Sequence, residues 1–471
     1  MKKIIILFLL FYSKLFAYEL PELGSSFDSL ISNADEKKIK FQIMNQVYSN
    51  NSVIRDPEIN EYIKNLGKDL ISKGLNEKIS INFFILEDKS INAFAMLGNI
   101  IGIHSGLILS SNTESELASV ISHEIAHITQ KHLLRLFDSQ EKNTYKSYLS
   151  LALALLVARS NPQLANAAIA AGAASQVQNI LEYTRDNERE ADRIGLKILN
   201  QAGYDPKGFI DFFSTMQKFN NFSTGAAPAF LRTHPVTTER ISDIQDRLND
   251  YKYIQKKNKI EFFLVKAKLQ AFHGEVSNTV DIFINDLKFK RYLSRPATYF
   301  GLVYALLKDN RTDEARFYFN ELLTTGINSP MIYELEANLL IKEKKVEDAF
   351  QLYKRAIKEH PYYQPFIVGI SKLLIGSNNV DKAIEFINSY LPVFENEPIL
   401  YELLSRAYSI KGLPLMEHES LSSFYYYQYN IKDAISQMDM ATRVNSENFY
   451  DQSRVEFKMK ELRREEELMN Q

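Results

Sequence analysis

Residues 119–130 have the sequence SVISHEIAHITQ, in which two histidines four positions apart stand within an apolar helical pattern. Residues i and i+4 lie one turn apart on the same face of an α-helix, so His123 and His127 can converge on one metal ion. Glu124 lies beside them, where a carboxylate can take a proton from a metal-bound water and pass it to a leaving amine. The motif predicts a catalytic zinc site, and the alternative is a chance occurrence of this short pattern on a solvated helix.

Two imidazoles do not complete such a site, because catalytic zinc normally has three protein ligands and one open position. Helical phase in a second predicted helix, from about Val177 to Gln201, places Glu188 and Asp192 on one stripe with Gly195, which has no side chain to keep another helix away. Asp192 can then accept the second ring N–H of a ligating histidine. Glu190 is predicted to point away into solvent. The carboxylates of this helix that could supply the third ligand are Glu182, Glu188, Glu190 and Asp192.

The helix that carries the histidines is predicted to begin at the capping box of residues 113–116 and to continue to about Leu136. In a continuous helix His132 lies about 140° around the axis from His127, so it is either a surface residue or a residue behind the ligands. Two apolar arms follow within residues 148–174. They predict either a mobile helical flap over the cleft or a pair of buried helices.

Two strand patterns precede this helix, at residues 79–86 and 100–104. Between them lie Asn92, Ala93, Phe94 and Ala95. Segment 94–104 is the predicted exposed sheet edge, on which a substrate can add as a further strand. His104, at the end of the second pattern, is predicted to be packed or hydrogen-bonded within the sheet rather than to bind metal.

The composition limits the possible classes of protein. With 471 residues the chain is too long for one ordinary hydrophobic core, so two or three domains are expected. The formal net charge of -2 gives no general electrostatic reason for binding nucleic acid or an anionic membrane. The chain has no cysteine, which excludes disulfides and a lipid-modified N-terminal cysteine.

The N-terminus has the features of a secretory signal. Three residues that include Lys2 and Lys3 precede the apolar run Ile4 to Tyr12, and cleavage is expected after Ala17. Lys14 and Leu15 make this cleavage site imperfect, so an uncleaved anchor is the alternative. The apolar run is too short to span a bilayer comfortably, and no transmembrane segment is expected in the mature chain. Export without cysteine fits the bacterial periplasm.

The C-terminal half, from about Lys256, contains a repeat. Ala315, Ala349 and Ala383 recur every 34 residues, the period of tetratricopeptide repeats, and Ala434 follows after a further 51, which predicts an extra helix. Such repeats stack helical hairpins into an α-solenoid whose surface binds partners.

Several segments together resemble the HtpX and CAAX-prenyl-protease family of gluzincin zinc peptidases. Residues 185–195, RDNEREADRIG, resemble the Glu-x-x-x-Asp helix that supplies the third zinc ligand in that family. Other segments are similar to its soluble periplasmic branch, the β-barrel assembly-enhancing proteases, which carry tetratricopeptide repeats after the protease: LPELG at 20–24, NAFA at 92–95, HSGL at 104–107, and THP at 233–235 with Arg240.

The resemblance implies roles for individual residues. His123, His127 and Glu188 would bind one zinc ion per chain, with Glu124 as the base. His234 would occupy the open zinc position and hold the enzyme latent until a loop movement admits water. Arg240 would lie behind the ligands or in helix packing, and the alternative is a solvated cation. Asn92, Ala93, Phe94 and Ala95 would form the substrate-binding edge strand.

The expected fold is mainly α. A signal peptide (1–17) precedes a gluzincin metallopeptidase domain of helices plus a small β-sheet (18–255), and an α-solenoid of tetratricopeptide repeats follows (256–471). The resemblance implies a periplasmic zinc-dependent endopeptidase in quality control and assembly of outer-membrane proteins, which cleaves misfolded or stalled substrates. The alternative is a chaperone or assembly adaptor that acts through its repeats with a largely latent peptidase site. The expected partners are unfolded or misassembled outer-membrane proteins and the outer-membrane assembly machinery, and no nucleic acid.

Overall fold

The computed structural model describes residues 31–75, 78–138, 185–222, 228–252, 254, 256–273, 275–445 and 448–470. The predicted signal peptide and the apolar arms at 148–174 lie outside these residues. Within the described ranges, no helix has the length and apolar character needed to cross a membrane.

The N-terminal part consists of helices around a small sheet. Its strands are β1 (Asn82–Leu86), β2 (Ala93–Met96) and β3 (Ile100–His104). Its helices are α1 (Asn33–Ser49), α2 (Pro57–Gly74), α3 (Ser105–Ser110), α4 (Glu114–Thr129), α5 (His132–Asp138), α6 (Arg185–Gln201), α7 (Gly208–Phe222), α8 (Ala229–Thr233) and α9 (Thr238–Leu248). The prediction of a mainly α chain with a small sheet is therefore confirmed.

The three strands have the order β1-β3-β2, with β1 parallel and β2 antiparallel to β3. The prediction that segment 94–104 forms one sheet edge is wrong, because Gly98 and Asn99 turn the chain with positive φ angles of 79° and 57°. This turn makes β3 the central strand, and all five of its residues are buried. Within segment 94–104, only β2 is an edge strand.

Helix α4 is buried along almost its whole length, since α2, α6, α7 and β2 pack around it. It begins as predicted: the amide of Glu116 donates to Thr113 Oγ1 at 3.1 Å. The predicted continuation to Leu136 is wrong. The helix ends at Thr129, Lys131 takes a positive φ of 54°, and α5 starts in a new direction at His132.

The C-terminal part consists of consecutive helices: α10 (Ile260–His273), α11 (Val276–Phe289), α12 (Arg295–Lys308), α13 (Thr312–Leu323), α14 (Pro330–Lys342), α15 (Val346–Glu359), α16 (Gln364–Gly376), α17 (Val380–Tyr390), α18 (Pro398–Lys411), α19 (Pro414–Tyr427), α20 (Ile431–Arg443) and α21 (Phe449–Asn470). Ala315, Ala349 and Ala383 are fully buried in the first turns of α13, α15 and α17. Ala434 lies in α20, three helices after α17, which confirms the extra helix. The domain boundary at 255/256 stays a prediction.

A buried polar cluster joins the two parts. The carboxylate of Glu58, at the start of α2, accepts hydrogen bonds from the hydroxyls of Tyr304 at 3.2 Å and Tyr363 at 3.0 Å, and from the ammonium of Lys268. Lys268 also pairs with Asp56 at 2.7 Å. Because a buried charge is tolerated when it is paired and hydrogen-bonded, this cluster holds α2 against the first helices of the C-terminal hairpins.

Candidate metal centre

Four side chains converge at the centre of the N-terminal part. Helix α4 positions His123 and His127, α6 positions Glu188, and the residue that follows α8 is His234. One ligand-type atom from each of the four lies within 4.8 Å of the others, and none of the four side chains is more than 2% exposed. The Nε2 atoms of His123 and His127 are 3.0 Å apart.

The close approach of α6 to α4 depends on Gly195. A Cβ atom at this position would lie 3.1 Å from both Cα and N of His123, tighter than ordinary contact. Glu188, Asp192 and Gly195 are all buried on the face of α6 that meets α4. The prediction that these three residues share the face of α6 that meets α4 is therefore confirmed. The role of Glu188 as a metal ligand stays a prediction.

Asp192 and Arg240 lie behind the convergent groups. Asp192 Oδ1 is 3.0 Å from Nδ1 of His123, where it can accept that ring proton. Arg240 donates two hydrogen bonds to Asp192, at 2.6 and 2.7 Å, and a third to the carbonyl of Pro235 at 2.8 Å. Its side chain is 3% exposed, which excludes the solvated cation that the sequence left open.

The local charges keep both carboxylates ionised. Burial by itself raises the pKa of Glu188, but His234 and Arg240, whose Nη1 is 2.7 Å from Glu188 Oε2, hold that pKa well below its usual range. Burial likewise opposes ionisation of Asp192, and Arg240 outweighs it, so the pKa of Asp192 is also lowered. The centre therefore presents anionic oxygen beside imidazole nitrogen.

This donor set fits a divalent transition metal such as zinc. In the neutral tautomers in which Nδ1 carries the proton, His123 donates to Asp192, and the Nε2 lone pairs of both motif histidines point to the same place. Two lone pairs directed at one point repel each other unless a cation lies between them. Imidazole nitrogen with a carboxylate oxygen is a set that zinc accepts readily.

Glu124 lies next to this point. Its Oε2 accepts a hydrogen bond from the amide of Ala95 at 2.8 Å. Its Oε1 is buried, receives no hydrogen bond from any described residue, and lies 3.5 Å from Nε2 of His234. One carboxylate oxygen is thus held by the backbone of β2, and the other faces the convergent groups.

The predicted edge segment is only partly in contact with the centre. The strand itself is Ala93–Met96, and Asn92 precedes it with its carbonyl accepting from the amide of His104 at 3.0 Å. Phe94 is buried against the ring of His104 and does not face the centre. Ala95 is the member that reaches the centre, through its amide. As predicted, His104 is buried and hydrogen-bonded, with Nδ1 2.8 Å from Ser90 Oγ.

Two further residues join the centre: His132, which the sequence placed either at the surface or behind the ligands, and Glu190, which it placed in solvent. His132 is fully buried, and its Nδ1 lies 2.8 Å from Nδ1 of His127. Glu190 lies 3.1 Å from Nε2 of His132 and accepts from Arg135 at 2.9 Å, so the prediction that Glu190 points into solvent is wrong. Its partners come from α5, which reaches α6 only because α4 ends at Thr129.

Residues 57–248 match the model of peptidase family M48, and residues 340–407 match a tetratricopeptide repeat model. The "Beta-barrel assembly-enhancing protease" of Escherichia coli (strain K12) is 27% identical over 452 residues, covering 95% of this chain and 92% of the relative. The "Putative beta-barrel assembly-enhancing protease" of Vibrio cholerae is 29% identical over 396 residues, covering 84% and 82%. "Metalloprotease YcaL" of Escherichia coli (strain K12) is 28% identical over 227 residues, covering 46% and 82%.

Proposed function

We propose that this chain, which carries a peptidase domain of family M48 followed by tetratricopeptide repeats, is a periplasmic zinc endopeptidase that cleaves misfolded or stalled outer-membrane proteins. The convergence of His123, His127 and Glu188 beside Glu124 is the observation that carries the proposal. The printed names of the two relatives that span most of the chain support the link to β-barrel assembly.

His123, His127 and Glu188 would hold the zinc ion. A zinc ion bound there would polarise the scissile carbonyl and make water acidic enough to be deprotonated near neutral pH. The residues around the ligands keep them in place: Asp192 fixes the ring of His123, and Arg240 keeps Glu188 and Asp192 ionised. One ion per chain is therefore expected.

Glu124 would move the proton. The amide of Ala95 holds Oε2, so Oε1 is the atom that takes a proton from the attacking water and gives it to the leaving amine. The same hydrogen bond ties the base to the edge strand. A substrate strand added along β2 would then lie beside the base.

The side to which each backbone group of β2 points supports this placement of the substrate strand. In an antiparallel strand alternate residues turn their backbone groups to opposite sides, and the amide of Ala95 faces Glu124 rather than β3. Ala93 has the same orientation as Ala95. We therefore propose that the backbone of Ala93 pairs with the substrate, while Asn92 and Phe94 face β3.

Removal of the metal tests the proposal. A chelator should abolish cleavage of an unfolded β-barrel protein, and stoichiometric zinc should restore it, whereas magnesium should not, because two imidazole ligands suit zinc and not a hard cation. The same protein in its folded state is the control and should resist cleavage. Full activity in a sample shown by elemental analysis to hold less than about 0.05 metal ions per chain would contradict the proposal.

A second candidate function rests on His234. Its ring is fully buried at the metal centre, stacked on Phe230 at 4.8 Å, and Nδ1 lies 2.9 Å from Glu188 Oε1. A fourth protein ligand would close a catalytic zinc site. The amide of Phe230 also donates to the carbonyl of Ile91 at 3.1 Å, just before the edge strand. This arrangement favours a latent peptidase whose repeats act as a chaperone or adaptor for the assembly machinery.

Complementation separates the two functions. Cells that lack the gene should recover outer-membrane protein assembly with the wild-type chain. If the Glu124→Gln chain rescues assembly fully, proteolysis is a side role and the adaptor function is the main one. If it does not rescue assembly although it accumulates to the wild-type level, cleavage is the main function.

His234→Ala is expected to raise basal cleavage of an unfolded protein several-fold, because it opens the fourth position at the metal. The exposed neighbour Arg232, replaced by alanine, is the matched control and should leave the rate unchanged. The measurement is the initial cleavage rate with metal content determined in parallel. An unchanged or lower rate with zinc still bound would count against a gating histidine.

A further inference from the structure

The second ring nitrogen of His127 has an unusual partner. Its Nε2 faces Nε2 of His123, and its Nδ1 is 2.8 Å from Nδ1 of His132. Two ring nitrogens at this distance share a single proton, because two N–H groups would clash and two lone pairs would repel. The tautomers of His127 and His132 are therefore coupled, because exactly one of the two Nδ1 atoms carries the proton.

His132 is held in turn by a carboxylate. Its Nε2 lies 3.1 Å from Oε2 of Glu190, and the same oxygen accepts from Nη1 of Arg135 at 2.9 Å. His132 is fully buried, whereas the side chain of Glu190 is 28% exposed. The side chains of His127, His132, Glu190 and Arg135 form a continuous path from the metal centre to the surface.

The order of protons along this path follows from the metal. A histidine that gives its Nε2 lone pair to zinc must carry its proton on Nδ1. His127 then donates to Nδ1 of His132, which must be a lone pair. His132 therefore carries its own proton on Nε2 and donates it to Glu190.

We infer that His132 and Glu190 are positioning residues that fix the tautomer and ring orientation of His127 for metal binding. The inference rests on the proposed zinc site. Asp192 has the corresponding position behind His123, but it is a carboxylate in direct contact with that ring, whereas Glu190 acts on His127 through a neutral imidazole. The two histidines of α4 are thus held by different groups. Asp192 on α6 holds His123, whereas His132 on α5 and Glu190 on α6 together hold His127.

The break after α4 is what makes this arrangement possible. Gln130 and Lys131 lie between the two helices, and Lys131 has a positive φ that interrupts the helical path. His132, as the first residue of α5, is thereby placed behind His127. Without the break, the same residue would lie about 140° around the axis from His127.

Zinc affinity tests the inference directly. The dissociation constant is measured by competition with a chromophoric chelator, for the full chain in each variant. His132→Leu, which removes the acceptor, should weaken zinc binding about 10- to 100-fold, as loss of a partner behind a ligand does. His132→Asn should recover most of the affinity, because its side-chain carbonyl can occupy the position of Nδ1.

Glu190→Gln should weaken zinc binding less than His132→Leu, since an amide oxygen can still accept from Nε2 of His132. Asp186→Asn is the matched control: it removes one negative charge one turn earlier on α6, at a side chain that is 92% exposed, and should bind zinc as wild type does. Urea unfolding of each metal-free variant shows whether a loss of affinity follows a loss of fold.

Three outcomes would overturn the inference: His132→Leu binds zinc as tightly as wild type, His132→Asn binds no better than His132→Leu at equal metal-free stability, or Asp186→Asn loses as much affinity as Glu190→Gln. A wild-type chain that binds zinc but cleaves nothing overturns the proposed function alone, because the affinity series still tests the positioning role. A wild-type chain that binds no zinc overturns both.

Discussion

Glu124→Gln is expected to lower the rate of peptide cleavage about 100- to 10,000-fold, the range that loss of a general base produces. Glutamine has nearly the shape of glutamate, so its side-chain carbonyl can keep the hydrogen bond from the amide of Ala95. It cannot take a proton, however, and the position of Oε1 would hold an amide nitrogen instead. The loss should therefore fall on kcat and leave KM nearly unchanged.

Metal content and thermal stability are the controls for this variant. Both should match the wild-type chain, because Glu124 lies beside the predicted ligands and is not one of them. A cleavage rate within threefold of wild type, in a preparation free of contaminating proteases, would refute the role of Glu124. A lost metal ion would instead show that Glu124 supports metal binding.

Arg240→Met is expected to lower the free energy of unfolding of the metal-free protein by about 3–5 kcal/mol, the cost of removing one partner from a buried ion pair. The guanidinium pairs with Asp192 through two hydrogen bonds and with Glu188 at 2.7 Å. Without it, the buried carboxylates of Glu188 and Asp192 keep their histidine partners but lose their cationic partner. Urea unfolding in the presence of a chelator measures this change.

Arg247 on the same helix provides the matched control. It pairs with Asp243 at 2.8 Å, but both side chains are more than a third exposed, so Arg247→Met should cost at most about 1 kcal/mol. Arg240→Lys should not restore stability, because a single ammonium cannot replace a planar fork that contacts two carboxylates. Equal losses for Arg240→Met and Arg247→Met would refute the structural role of the buried cluster.

Much of the centre could be predicted from local spacing. The histidines of α4 are four residues apart, and Glu188, Asp192 and Gly195 share one face of α6, so a period of 3.6 residues is enough to align them. The alanines of the repeats follow in the same way from a fixed interval. These features depend on one helix at a time, and the sequence specifies each helix strongly.

His132 and Glu190 could not be placed in this way. Residues 129–132 contain neither glycine nor proline, so nothing marks the end of α4, and Lys131 adopts a conformation that a non-glycine residue rarely takes. Glu190 does not belong to the buried stripe of Glu188, Asp192 and Gly195 on α6. Its partners lie on α5, however, and a contact between two separate helices is not revealed by the periodicity of either one.

His234 marks a different limit. It follows a helix of five residues and precedes a proline, and no local pattern indicates that its ring is buried beside Glu188. Only the resemblance of the surrounding Thr-His-Pro segment suggested a role. Long-range contacts of this kind require either a related sequence or coordinates.

The buried cluster around Glu58 has a consequence for partners of the repeats. Helix α2 already lies against the first helices of the hairpins, where Lys268, Tyr304 and Tyr363 contact Glu58. Within one chain such a segment acts as a tethered competitor, with an effective concentration of about 1 mM. If α2 has an intrinsic dissociation constant of about 1 µM for that face, a partner that competes for the face would bind roughly a thousandfold more weakly. Ligands of the repeats that avoid this penalty must use surfaces that α2 leaves open.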